Sequence, residues 1–440
     1  MIVKADHLET GAVDSRTGYI NVFGKQIKLF AKGCKVAVKC YVKAFLFKIT
    51  IELYGVLWWC ILRCFVSLVF GEWFSEKCQK MSLAFLCVRK ESFGSTHICV
   101  AFAPVISAVG KAKDTPIPEG AEIIDAEGAY VGPGLIDIHT HGGAGADFMD
   151  GSMEAYRTAL HLHTSHGTTL IYPTTLTGAK DSLLDSVKSY QEIKASGISG
   201  AEMGGLHFEG PYFAYSKKGA QDPRYLRNPD PEEYMELLEE AHGDIARWSL
   251  APELPGALEM AEKISAKGVL VAMGHTDATF DECDVAFKSG FTHMTHFFSC
   301  MSSIMKNGIE RNAGVIEYGY YNDDVTVEII GDGVHVPAAL LKLVFKIKGA
   351  ENVALVTDSV RPAGFDEGHY IMGGDADGLE VIVEDGVAKL ADRSALAGSV
   401  STMDYIVRTV RDLTGLPLEK VVQSATQTPA RIMGMGDRKG

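Results

Sequence analysis

The sequence predicts an α/β chain. Residues 131–440 form a (β/α)8 TIM-like barrel, and the 1–130 region builds a small, incomplete β-sandwich domain. Three observations carry this prediction. From Val131 onward, short β-rich runs alternate with amphipathic stretches, the pattern of a parallel sheet assembled from βα units. Eight such runs can be counted, the number that closes a barrel. Residues able to bind a metal or move a proton fall at the C-terminal ends of those runs, where barrel enzymes assemble their sites from separate loops.

The first strand is predicted over 134–138, inside an apolar run that leads straight into His139-Thr140-His141. Imidazoles spaced i, i+2 at a strand end point to one side, so both can grip one divalent ion at the barrel mouth. A bare H-x-H also arises by chance, and its weight comes from context. The remaining strands are predicted over 169–173, 203–208, 246–250, 269–273, 291–294, 325–330 and 353–356. Helices are predicted between them over 153–166, 181–195, 231–242, 258–267, 279–288 and 337–346, with two more, 401–413 and 418–425, after the last strand.

Glu209 then follows the third strand, His275 the fifth, His296 the sixth and Asp358 the eighth. Each has a plainer alternative. Glu209 suits a buried carboxylate that accepts loop amides, His275 a cap on the next helix, and Asp358 a helix N-cap. A carboxylate set among several imidazoles is more often a ligand or a base. His293, inside its strand, is read as structural.

Composition narrows the function. The chain is 47% hydrophobic and 22% charged, ordinary for a globular protein with room for one large domain and a smaller one. A net charge of −14 argues against a nucleic-acid partner, which needs a basic surface, and favours a small substrate. Seven of the nine cysteines crowd between Cys34 and Cys99, and the first 32 residues lack a secretory pattern; a reducing, cytoplasmic location is expected.

The 34–99 segment itself stands apart, with nine Lys and Arg against four Glu in an otherwise acidic chain. Arg63 interrupts its apolar centre, leaving runs well short of the roughly 18 residues of a membrane span. It is read as an atypical hydrophobic, Cys-rich insertion, with Trp58, Trp59 and Trp73 as an alternative interfacial or self-association patch. The flanks, 1–30 and 106–130, read as short strands of one β-domain. The chain reaches Gly440 soon after Thr426-Gln427-Thr428-Pro429-Ala430-Arg431, from which the domain is expected to be truncated and the protein marginally stable.

Taken in order, the motifs carry a resemblance. They are Pro133-Gly134-Leu135-Ile136-Asp137-Ile138-His139-Thr140-His141-Gly142, His207-Phe208-Glu209-Gly210-Pro211, Ala251-Pro252-Glu253, Gly274-His275-Thr276-Asp277-Ala278, Thr295-His296, Asp332-Gly333-Val334-His335, Thr357-Asp358 and Leu396-Ala397-Gly398-Ser399. Singly most are weak; in this order the chain resembles the amidohydrolase superfamily, and within it the N-acetylglucosamine-6-phosphate deacetylase family. Relatives that bridge two metals through a carboxylated lysine carry it at the end of strand four. Here that position reads Ser249-Leu250-Ala251-Pro252-Glu253, with no lysine.

The resemblance implies that Glu209, His275 and His296 hold one divalent ion, and that His139 and His141 hold a second, with Glu209 bridging and Asp358 nearby. The ion would be Zn2+ or Fe2+, and Asp358 the catalytic acid–base. It further implies a phosphate site at Arg311, His335, Ser299 and Cys300, a substrate contact at Asp332, and sugar contacts from Ala220, Gln221, Leu396, Ala397 and Gly398. In the family the arginine can come from a neighbouring subunit, which implies a homodimer.

This sequence departs from the family's pattern at substrate positions. Ser299-Cys300 stands where Asn-Ala is common, Gln221 where many members have His, and Arg311 in a variant of Arg-Glu-Pro-Gly. Two alternatives are carried: a deacetylase for N-acetylgalactosamine 6-phosphate, and a non-catalytic metal-binding barrel acting in binding or assembly.

Overall fold

Strands buried on both faces must be apolar or satisfy their polar groups internally, and the chain meets this condition eight times. The computed structural model describes residues 129–374 and 378–439, together with short strands at 19–22, 25–28, 83–86, 97–102 and 105–111. The eight barrel strands are β1 (Leu135–Thr140), β2 (Thr168–Thr175), β3 (Leu206–Glu209), β4 (Ile245–Leu250), β5 (Leu270–Met273), β6 (Phe291–Met294), β7 (Thr326–Ile330) and β8 (Val353–Val356). Neighbours pair in parallel from β1 through β8 in sequence order.

The ring closes just past the last strand. The Asp358 N–H donates to the His139 carbonyl at 2.9 Å and the His141 N–H to the Ser359 carbonyl at 2.8 Å. The buried Asp137 carboxylate reinforces this closure, accepting from Thr357 Oγ1 at 2.5 Å and from the Thr357 N–H at 3.2 Å. Burial pushes that carboxyl up to about 7 even though the Thr357 bonds pull it down.

A helix follows each strand: α1 (Met153–Ser165), α2 (Lys180–Ala195), α3 (Pro231–Ala241), α4 (Ala257–Ser265), α5 (Phe280–Lys288), α6 (Val315–Tyr321), α7 (Ala338–Lys348) and α8 (Met403–Thr414). Local chemistry starts them. Ser152 Oγ caps α1 through the Ala155 N–H, Asp230 precedes Pro231 at the start of α3, and Thr279 with Glu282 forms a capping box on α5. Their apolar stripes, such as Met403, Ile406, Val407 and Val410 of α8, are buried in the large core shared with the strands. Two short helices, α9 (Leu418–Ser424) and α10 (Gln427–Ile432), end the described chain. Ala430 of α10 joins a second core cluster with Ile136, Ile138, Leu170, Tyr172 and Val356.

Three features depart from the sequence expectation. The third strand, expected as one run over 203–208, is split: Glu202–Met203 pairs with β2, and β3 begins only at Leu206. Gly204 and Gly205 lie between, and a Cβ at 204 would stand 2.4 Å from Cζ of Tyr172. Helix α6 was not anticipated; it is one of the shortest, and Gly319 and three tyrosines blur its period. A four-stranded antiparallel sheet also follows β8: β9 (Gly368–Met372), β10 (Leu379–Glu384), β11 (Val387–Leu390) and β12 (Leu396–Ser399). It has its own small core around Val381, Val383, Ala388 and Ala397.

Before the barrel, Tyr19–Val22 and Lys25–Lys28 form a hairpin within the unit Met1–Leu68. In the second unit, Leu83–Leu86 pairs antiparallel with Tyr130–Pro133, and His97–Phe102 with Val105–Lys111. Most of the 34–99 segment, including its tryptophans, and residues 112–128 of the second flank lie outside the described residues. Among the described residues no helix is long and apolar enough to cross a membrane.

Candidate active site

The mouth of the barrel is built where strands end abruptly. His275, His296 and Asp358 have φ of +47°, +30° and +46°, left-handed conformations that cost a non-glycine residue about 1–3 kcal/mol each. Backbone bonds hold the turns. The Ala214 N–H donates to the His275 carbonyl at 3.0 Å, and the Ser399 N–H to the Asp358 carbonyl at 2.7 Å. Gly398, at φ +74°, allows this last contact; a Cβ there would lie 2.8 Å from the Asp358 carbonyl oxygen.

Two sets of ligand-type atoms converge on Glu209. His139, His141 and Glu209 form one group, and Glu209, His275 and His296 the other. His275 Nε2 and His296 Nε2 lie 3.2 and 3.0 Å from Glu209 Oε1 and only 3.1 Å from each other. His275 Nδ1 meets the Lys217 carbonyl at 2.8 Å, an arrangement that leaves Nε2 free to act as a ligand. His141 Nε2 lies 3.4 Å from Glu209 Oε2 and 3.2 Å from Asp358 Oδ1. His139 is fully buried, and its Nε2 has no hydrogen-bond partner, with oxygens of Asp358 and Glu209 at 3.5 and 3.7 Å. Imidazole nitrogens aimed at one another and at a shared carboxylate fit a divalent cation with N and O ligands.

Gln221 is tied to the same carboxylate. Its Nε2 donates to Glu209 Oε2 at 2.7 Å while its Oε1 accepts the Thr177 N–H at 2.8 Å. Glu253, from the loop after β4, supports the next turn by accepting from Thr276 Oγ1 and the Asp277 N–H, each at 2.6 Å.

Charge follows geometry. Burial raises the Glu209 carboxyl, but the charge of His139 and the hydrogen bonds from His141 and His275 outweigh it and hold Glu209 well below the usual carboxylate range. Asp358 is likewise raised by burial and brought below its ordinary value by His139 and His141. Burial by itself would push the first two imidazoles down. Asp358, Glu328 and Glu209 instead hold His139 at about 10, and Asp358 and Glu209 hold His141 at about 9. In neutral solution a cation must therefore displace protons from these rings. Divalent-ion affinity is expected to rise with pH through neutrality, by about tenfold per pH unit for each proton displaced, and to level off only above about pH 10, where both rings have lost their extra proton. Calorimetry in buffers of different ionisation enthalpy checks this, and affinity independent of pH would contradict it.

Above the ligands is a cavity of about 740 Å³ that includes its open mouth. Its walls carry His141, Glu209, His275, His296 and Asp358, and among the expected substrate residues Ala220, Gln221, Ser299, Cys300, His335, Leu396, Ala397 and Gly398. The structure brings these together from separate loops. Two expected residues are placed elsewhere. Asp332 does not line the cavity: its carboxylate accepts from His335 Nδ1 at 2.7 Å and from the His335 N–H at 2.9 Å, so it orients His335. Arg311 lies on an exposed hairpin formed by Met305–Asn307 and Glu310–Asn312, whose turn carries Ile309 at 94% exposure. No Lys or Arg is among the described residues that line the cavity.

Sequence reasoning overlooked several residues. Leu176, Val360 and Met372 also line the cavity, and nothing local marks them. Arg247 and Glu328 are buried in the barrel behind the ligands, and each had a legible signal, a charge in the middle of a mostly apolar strand. His293, expected to be structural, is buried with Nδ1 2.7 Å from Thr326 Oγ1.

A (β/α)8 barrel that gathers four imidazoles and two carboxylates at the C-terminal ends of its strands is the architecture of a metal-dependent hydrolase. Residues 130–440 match the amidohydrolase family, and the chain belongs to that family. It is 34% identical to an N-acetylglucosamine-6-phosphate deacetylase of Bacillus subtilis (strain 168), over 73% of this chain and 80% of the relative. It is 31% identical to an N-acetylgalactosamine-6-phosphate deacetylase of Escherichia coli O157:H7, over 73% of this chain and 82% of that one. Among solved structures, a mutant N-acetyl-D-glucosamine-6-phosphate deacetylase from Mycobacterium smegmatis, in complex with N-acetyl-D-glucosamine-6-phosphate, superposes with a TM-score of 0.67. It is 31% identical, and the match covers 76% of this chain and 85% of that one.

Proposed function

We infer that the protein hydrolyses the acetamido group of N-acetyl-D-glucosamine 6-phosphate, giving D-glucosamine 6-phosphate and acetate, in amino-sugar catabolism. The observation that carries this reading is Asp358, an ionised carboxylate that faces both the cavity and the His139–His141 pair. An idle metal site has no need of a base held in that position, which weighs against the non-catalytic reading.

An amide resists hydrolysis because water is a weak nucleophile and an amine a poor leaving group. Glu209, His275 and His296 would hold one divalent ion, Zn2+ or Fe2+ by the donor set, and His139 and His141 with Glu209 a second. When bound, such an ion polarises the acetyl carbonyl and acidifies water. Asp358 accepts the proton of the attacking water and delivers it to the departing amine as the C–N bond breaks. Gln221 keeps Glu209 in register through its amide, and Ala220, Leu396, Ala397 and Gly398 meet the sugar.

The phosphate end falls to His335, oriented by Asp332, and to Ser299 and Cys300. The cation that a phosphate calls for is assigned to Arg311 from a second copy of the chain, since none lines the cavity among the described residues. The exposed hairpin supports this, and the reading makes the enzyme a homodimer with a shared site. A cytoplasmic location belongs to the same reading, because a charged sugar phosphate crosses a bilayer only at high cost.

Acetate release by the metal-replete protein, measured on the N-acetylglucosamine and N-acetylgalactosamine 6-phosphates in parallel, tests the proposal. Turnover is expected on the gluco epimer. Faster turnover on the galacto epimer would shift the assignment to the second reading, which the Escherichia coli relative favours. A folded, metal-loaded protein that releases acetate from neither would refute both.

A further inference from the structure

Behind the ligands lies a layer of polar side chains to which the mechanism gives no task. Glu328, at the centre of β7, and Arg247, on β4, are both completely buried. Glu328 Oε1 meets His139 Nδ1 at 2.7 Å and accepts the His296 backbone N–H at 3.0 Å. Its Oε2 accepts from Arg247 Nη1 at 2.5 Å and faces His293 Nε2 at 3.3 Å. The guanidinium also donates to the Ile138 carbonyl and to Thr295 Oγ1, both at 3.0 Å, one residue before His139 and one before His296.

A buried Glu–Arg pair is weak evidence for stability, since desolvation of the two charges offsets much of their attraction. What distinguishes this pair is the destination of its hydrogen bonds. One carboxylate oxygen touches a member of each ligand group, His139 from one and His296 from the other. A proton kept on His139 Nδ1 leaves Nε2 as that ring's ligand atom, and Nε2 is the nitrogen without a hydrogen-bond partner. The His296 amide belongs to a residue at φ +30°, a backbone conformation that persists only where its surroundings hold it.

We propose that Glu328 is a positioning residue for both halves of the metal centre, fixing the His139 tautomer and the His296 backbone turn through one oxygen, with Arg247 orienting the carboxylate. The proposal rests on the metal-dependent reading of the site and deepens it.

Titration of the metal-depleted full chain with Zn2+ by calorimetry, and with Co2+ by its d–d absorption, would compare the parent with Glu328→Gln and with the double variant Arg247→Met/Glu328→Gln. The double variant leaves no unpaired charge in the core, so it carries the test if the single variant does not fold. Ion binding about 10–100-fold weaker, with a changed Co2+ spectrum in a folded variant, is the expected result. Parent-like affinity together with a parent-like Co2+ spectrum would overturn the proposal and leave Glu328 a purely structural charge. Ion binding is read without substrate. A parent protein that binds metal but releases no acetate would therefore count against the deacetylase reading and not against this one.

Discussion

Asp358→Asn is expected to lower kcat by about 10²–10⁴-fold, the range for loss of a general acid–base, while the protein stays folded and keeps its metal. The amide has the shape of the carboxylate but accepts no proton at neutral pH. Asp358 is also outside both ligand groups, so its replacement leaves their donors intact. The fold should tolerate the change because the backbone at 358, bonded to His139 and Ser399, sets this turn without help from the carboxylate. Asp358 is already held below the ordinary carboxylate range, so the parent keeps its base ionised through neutral pH and for some distance below. Steady-state acetate release, paired with metal analysis of the same samples, measures the effect. A variant with full metal content and a rate within about tenfold of the parent would move the proton transfer to another group.

Glu209→Gln should have the other large effect, through binding. Both ligand groups share this carboxylate, so one substitution removes a donor from each. The charge that draws His141, His275 and His296 together is lost as well, and Gln221 Nε2 loses its carboxylate acceptor. Replacing a residue in contact with a ligand typically costs 10–100-fold in metal affinity, and loss of a ligand should exceed about 100-fold. Activity should fall to background with it. His139→Ala or His275→Ala, by contrast, each touch only one group and should leave binding at the other. Metal content after dialysis, measured for the three variants side by side, decides the matter. Full metal retention in Glu209→Gln would show that the carboxylate is not the shared ligand.

How much of this was legible in advance varies with the range of the forces involved. The barrel strands and most of their helices follow from hydrophobic period and capping residues, both local properties, and the expected ranges differ from the observed ones by a few residues. Where local signals conflict, the expectation slipped. Gly204-Gly205 inside an apolar run does not announce that Tyr172 occupies the space a side chain would need. The antiparallel sheet over β9 to β12 was overlooked because a barrel of eight strands is already complete without it, yet this sheet supplies Met372 and Leu396 to the cavity wall. The ordered motifs pointed to the amidohydrolase family, and the match over residues 130–440 agrees.

By itself, the sequence determined which residues end the strands of a parallel barrel. It thereby determined that His139, His141, Glu209, His275, His296 and Asp358 gather at one mouth, because strand direction and the two-residue period leave them no other place. Only the tertiary structure decided how those groups act on one another. That Glu209 is shared, that Asp332 serves His335, that Arg311 stands clear of its own cavity and that Glu328 reaches both His139 and the turn at His296 all depend on contacts between segments far apart in the chain. Such contacts are set by how the ring closes and which side chains are desolvated together, and neither is encoded in the spacing of residues along one strand.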